Sequence, residues 1–165
     1  MTTDDFIACH AAQWHAIWHG LAARAGDLAL LHALVTSYCA PHRHYHTLQH
    51  LDACLRHLTE LRVLAVHPHE LALALWFHDG IFDIVAADHE VRSANWAERT
   101  LLSASVDAAV AQRVVALIMV TRHEEAPGTA DERVMLDVDL SILGASPQVF
   151  DAYEVQVRVE YHAVP

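Results

Sequence analysis

The sequence predicts an all-α domain, and three observations predict it. Apolar residues recur at three- and four-residue spacing along most of the 165-residue chain. No segment shows a convincing period of two, and no hairpin turn joins two such runs. Proline, glycine and N-capping side chains fall at the ends of the periodic segments. One domain, residues 1–165, is the natural reading of this length. Hydrophobic residues make up 54% and charged residues 19%, the balance of a globular chain rather than a disordered one.

The first helix is expected from about Asp4 to Ala23, with Phe6, Trp14, Ile17, Trp18 and Leu21 on its apolar side. A second follows Gly26-Asp27 and runs to about Tyr38, where Pro41 prevents its continuation. Thr47 to about Leu61 forms a third, amphipathic through Leu48, Leu51, Leu55 and Leu58. Pro68 opens a fourth, at the position where a missing N–H costs least, and that helix ends in "WFHDG". Asp88 caps a fifth, which reaches about Ser103. Val106 to about Thr121 is the sixth and most apolar, and "HEEAPGTAD" is the longest loop. A seventh runs from Asp131 to Gly144, and "GASP" then supplies a C-terminal glycine, an N-cap serine and a first-turn proline for the last helix from Pro147. The helical pattern stops at the end without a cap, which predicts a domain shortened at its C-terminus.

Composition excludes several function classes. The net charge is −11 with histidine neutral, and the ten basic residues are scattered. No basic stripe exists to neutralise a polyanion backbone, so a nucleic-acid polymer is not an expected partner. No apolar run reaches the roughly 18 residues of a membrane span, and "MTTDDF" lacks the pattern of a secretory signal. Cys9, Cys39 and Cys54 are odd in number and widely spaced, which suits small core or half-buried residues in a reducing cytoplasm.

The chemistry concentrates in three places. With 15 histidines among 165 residues, a His-Asp dipeptide arises readily by chance, so only its setting can give it meaning. On the fourth helix Leu71, Ala74 or Leu75, and His78 share one face, which turns His78 inward and leaves Asp79 beside it at the helix end. A buried carboxylate is costly unless something pairs with it, and a divalent cation or a local cap would do so. In "RHYHTLQH", His46 and His50 stand at i and i+4 on one helical face, a spacing that can converge on a metal. In "MLDVDLSILG", Asp137 and Asp139 interrupt an apolar helix, so at least one faces inward without a basic neighbour in sequence.

The ordered motifs "RHYHTLQHL", "WFHDGIFD", "HEVRSA" and "LDVDLSILG" together resemble the HD superfamily of metal-dependent phosphohydrolases, in particular a bacterial subfamily of predicted HD phosphohydrolases. Arg43 and His46 match its Arg-x-x-His, "ALALWFHD" its apolar run before His-Asp, and "DVDL" its Asp-x-Asp-Leu. The resemblance covers nearly the whole chain. Two features depart from it: His89 stands where asparagine is expected, and a further C-terminal helical stretch is lacking.

The resemblance implies a compact multi-helix HD-like bundle. It implies one divalent metal (Mn, Fe, Co, Ni or Zn) held by His46, His78, Asp79 and Asp139, with room left open for a second. It implies hydrolysis of a small phosphate ester, a nucleotide included, by metal-activated water, as a phosphomonoesterase or phosphodiesterase. Asp79, Asp83 and His50 are the catalytic candidates: Asp83 matches an acid that assists catalysis in alarmone-hydrolase domains, and His50 is open to three roles, a group supporting the ligands, a substrate contact or an extra ligand. Arg43, Arg122 and His123 are the substrate-binding candidates. Glu90 and Arg92 are candidates for a structural pair. A di-iron oxygenase using His50, His89 and His123 is the alternative enzyme, and a non-catalytic metal- or nucleotide-binding regulatory module the alternative outside catalysis. A cytoplasmic location and a small phosphorylated substrate fit these readings, with a homodimer one open oligomeric state.

Overall fold

The computed structural model describes residues 2–21, 27–86 and 88–162. They form eight α-helices, α1 Thr3–Gly20, α2 Leu28–Tyr38, α3 Leu48–Leu61, α4 Pro68–Phe77, α5 His89–Ser103, α6 Ala108–Met119, α7 Ala130–Asp139 and α8 Pro147–Glu160. Short 3-10 turns extend α3, α6 and α7 over Arg62–Leu64, Val120–Arg122 and Leu140–Gly144. No strand occurs among the described residues. The all-α expectation therefore holds. The expected continuation of the first helix to Ala23, and the Gly26 before the second, lie outside the described residues.

Local chemistry starts most helices. Thr2 with Asp5, and Thr129 with Glu132, close reciprocal capping boxes on α1 and α7. Asp27, Thr47 and Asp107 accept backbone N–H bonds at the starts of α2, α3 and α6. Pro68 and Pro147 sit in the first turns of α4 and α8 as expected. Two caps differ from expectation: Asp88 and Ser146 occupy N-cap positions but make no side-chain bond. Gly144 ends its 3-10 turn without a left-handed φ, so the chain leaves α7 by tightening rather than through a glycine cap.

The bundle is organised around α4, which packs on α1, α3, α5, α6 and α7. Every residue from Glu70 to Gly80 is buried, so the helix is apolar all round rather than amphipathic. Trp14, Trp18 and Trp76 meet edge to face in the same core, with Trp76 5.3 Å from Trp14 between ring centroids. Trp96 is half-buried against Phe77. Of the cysteines only Cys54 is buried; Cys9 and Cys39 are exposed, contrary to the core expectation. After α4 the chain turns sharply at Gly80. A Cβ there would lie 3.0 Å from the Phe77 carbonyl and 3.3 Å from the Trp96 ring, so the close approach, not an unusual φ, requires glycine.

α4 carries a carboxylate into this core. Glu70, 5% exposed, receives two hydrogen bonds from Arg113 on α6, at 2.7 and 2.8 Å. Removing the guanidinium leaves a buried carboxylate without a partner. Arg113→Ala is therefore expected to lower unfolding free energy by about 2–3 kcal/mol, read from the urea midpoint at unchanged slope.

Candidate metal centre

Three helices deliver the site. His78 follows the last residue of α4, held by its backbone N–H to the Ala74 carbonyl, 2.8 Å. His50 lies in the first turn of α3, and Asp139 is the last residue of α7. Their ligand atoms converge: His50 Nε2 is 3.3 Å from His78 Nε2 and 3.3 Å from Asp139 Oδ1, and His78 Nε2 is 3.5 Å from Asp139 Oδ1. These three residues form a group able to hold a metal ion. Asp79 closes the cluster, its Oδ2 3.1 Å from His78 Nε2 and 3.6 Å from His50 Nε2. That oxygen is fully buried, yet it accepts no well-aligned hydrogen bond.

The tautomer of His78 is fixed from behind. Its Nδ1–H donates to the Leu75 carbonyl at 2.8 Å, because a carbonyl can only accept. In the neutral ring Nε2 then carries a lone pair aimed at two carboxylates and a second imidazole. Lone pairs facing lone pairs require a proton or a cation between them. Burial disfavours charge on His78, but the carboxylates of Asp79 and Asp139 hold its pKa well above the ordinary value. Burial likewise opposes the Asp79 and Asp139 charges, while the imidazoles of His78 and His50 keep both well below the usual carboxylate range. A mixed set of two imidazoles and two carboxylates with one orphaned oxygen fits a divalent transition metal, and the Leu75 bond is the kind of outer support that metal-ligating histidines have.

His46, which sequence reasoning placed among the ligands, is not in the converging group. Thr47 is the N-cap of α3, so His46 precedes the helix and does not share a helical face with His50. Its ring stacks on Phe82 at 4.5 Å and stands 5.6 Å from the His50 ring. Its Nδ1–H donates to Glu160 Oε1. Burial works against its charge, but Asp79 and Glu160 raise its pKa above the ordinary value.

The remaining candidates separate by geometry. Arg43 is buried and points inward, donating to the carbonyls of His46 (3.1 Å) and Gly80 (3.4 Å) while its guanidinium lies over the rings of Tyr38 and Phe82. It ties the His46 loop to the turn after α4. Arg122 pairs with Glu124 at 2.8 Å. Asp83 caps its own turn, accepting from the backbone of Val85 and Ala86. His123 is exposed, sits at a left-handed φ of 56°, and brings Nε2 to 3.7 Å from Asp139 Oδ2. Of the two acids in "DVDL", Asp137 faces solvent and Asp139 faces the cluster. Glu90 and Arg92 do not pair with each other: Glu90 meets His89, and Arg92 meets Asp83 and Asp88.

Sequence reasoning missed Glu160. It is the one buried residue of α8 and accepts from the backbone N–H groups of His44, Tyr45 and His46 at 2.6, 2.9 and 3.3 Å, besides the His46 ring. Its partners lie some 115 residues away in sequence, so no local pattern announces it. Burial pushes its carboxyl up, but the hydrogen bond and charge of His46 bring it down to about 2.

A comparison with protein-family models, curated proteins and solved structures finds no match to this chain. No helix of the described residues is long and apolar enough to cross a membrane.

The depressed Glu160 carboxyl makes stability depend on pH. Its contribution is complete above the unfolded value near 4.5 and is lost as pH falls toward about 2. Glu160→Gln is expected to melt well below wild type at pH 7, with the gap closing between pH 4.5 and pH 2.5. Thermal melts of both proteins across that range check it, and a gap independent of pH would contradict the assignment.

Proposed function

We propose that this chain is a metal-dependent phosphohydrolase acting on a small phosphate ester. The observation that carries the reading is the buried convergence of His50, His78 and Asp139 with the unpartnered Asp79 oxygen beside them. The order His, His-Asp, Asp along the chain supports the same class through the resemblance of the motifs, with His50 taking the ligand place that the resemblance gives to His46.

A divalent cation bound by His50, His78, Asp79 and Asp139 would act as a Lewis acid toward a phosphoryl oxygen and make water a stronger nucleophile. The protein's own groups do the rest. Leu75 holds His78 in the ligating tautomer. His46, whose pKa Asp79 and Glu160 raise at the edge of the cluster, donates a proton to the departing alcohol oxygen. Arg43 positions the His46 loop rather than clamping phosphate, since its two terminal nitrogens already serve backbone carbonyls.

A second reading draws on His123 Nε2, 3.7 Å from Asp139 Oδ2. A ring swung inward there would add a ligand for a second metal, as a di-iron oxygenase requires. Metal content separates the two readings.

Wild type loaded with Mn or Zn is expected to hold close to one metal per chain by elemental analysis and to hydrolyse p-nitrophenyl phosphate. His78→Ala and Asp79→Ala are expected to lose both metal and activity. His46→Asn is expected to keep its metal and lose about 100-fold or more in kcat toward an alkyl monophosphate, whose alkoxide must be protonated to leave, with a much smaller loss toward p-nitrophenyl phosphate. Negligible metal in every protein would sink the proposal, and two irons per chain would favour the oxygenase.

A further inference from the structure

A groove of about 510 Å³ opens beside the metal-ligating cluster, between α3, the 3-10 turn after Asp139 and α8. That volume suits a small organic molecule. His50 belongs both to the groove wall and to the cluster. Tyr45, also in the wall, lies 4.9 Å from the His50 ring and packs edge-on against Tyr153 of α8 at 4.6 Å. The groove therefore adjoins the cluster at His50.

The wall is close to electroneutral in a chain of net charge −11. It contains no aspartate, glutamate or lysine. Its one arginine, Arg56, is exposed and bonds Asp52 through Nε at 3.0 Å, and His57 stands 3.6 Å from Glu60. The polar reach into the groove comes from the amides of Gln49, Gln148 and Gln156 and the tyrosine hydroxyls. Amides and hydroxyls recognise uncharged hydrogen-bonding groups. A second phosphate calls instead for free arginine or lysine, and an ammonium group for a carboxylate.

We propose that the substrate is a monophosphate ester of an uncharged, hydrogen-bonding alcohol of nucleoside or sugar size, whose organic half lies in this groove. The inference rests on the phosphohydrolase reading and deepens it. Water adds an oxygen to phosphorus, the P–O bond to the alcohol breaks, and the alcohol oxygen takes up a proton; the products are the free alcohol and inorganic phosphate.

The test follows binding rather than turnover. The full chain, as purified, is titrated with adenosine, cytidine and glucose while the side-chain amides of Gln49, Gln148 and Gln156 are observed by NMR. At least one probe is expected to shift these amides saturably. Gln148→Glu, shown folded by circular dichroism, is expected to weaken that binding tenfold or more. AMP is expected to bind no more weakly than ADP. Silence of the groove amides toward all three probes would overturn the inference, as would ADP binding there more than tenfold tighter than AMP. Failure of the parent reading is distinguishable. A protein without metal that still seats an uncharged probe keeps the groove assignment and loses the hydrolase. A metal-loaded, hydrolytic protein with a silent groove keeps the hydrolase and loses the groove.

Discussion

The burial of α4 on every side governs both the architecture and the chemistry of this protein. A helix with no polar face can be satisfied only by neighbours on all sides, and α1, α3, α5, α6 and α7 supply them. Its C-terminal end therefore lies deep in the bundle. His78 and Asp79 follow at that end, so the packing that stabilises the helix also desolvates an imidazole and a carboxylate. Gly80 lets the chain leave without displacing Phe77 or Trp96. The position of the site is in this sense a by-product of the core, and altering Trp76 or Phe77 would move the chemistry along with the packing.

Around that buried end the charges are arranged in two linked groups. Asp79 and Asp139 confront His50 and His78, while Glu160 confronts His46 and three backbone N–H groups. Arg43 joins the two by holding the carbonyls of His46 and Gly80. Burial opposes the charges of His46, His78, Asp79, Asp139 and Glu160, and facing groups of opposite sign favour each of them. Such a network defines geometry closely, because moving one member leaves another without compensation.

Much of this was legible in the sequence, and the reasons are physical. Helix boundaries followed from Pro41, Pro68 and Pro147, whose effects are local, while the caps Thr2, Asp107 and Thr129 were not read and Asp88 and Ser146 make no side-chain bond. His78 and Asp79 were legible because they close an apolar helix whose face turns inward, whereas in "DVDL" the run required only that one acid face inward, and the resemblance chose Asp139 over the solvent-facing Asp137. The place of His46 outside the converging group, with His50 inside it, was not legible. It depends on whether α3 begins before or after Thr47, a difference of one or two residues at a helix end, where sequence patterns are weakest. The inward turn of Arg43 was hidden because its partners are backbone carbonyls, which every sequence contains. Glu160 was hidden because its partners lie at the other end of the chain.

The anchoring of α8 has a consequence for how this protein tolerates change over generations. A helix normally holds its place through several apolar side chains, any one of which can drift if the others compensate. Here the sole buried residue of α8 is a carboxylate, and no neighbour on the helix can substitute for it. The outward positions, Val155 and Val159 among them, are open to almost any helix-forming residue. Position 160 is not, since even aspartate would fall a methylene short of the His44–His46 backbone. A lineage of such chains would accumulate variation along α8 while one acid near its end stayed fixed. That pattern would arise from the mechanics of the loop it grips, with no direct part in the chemistry.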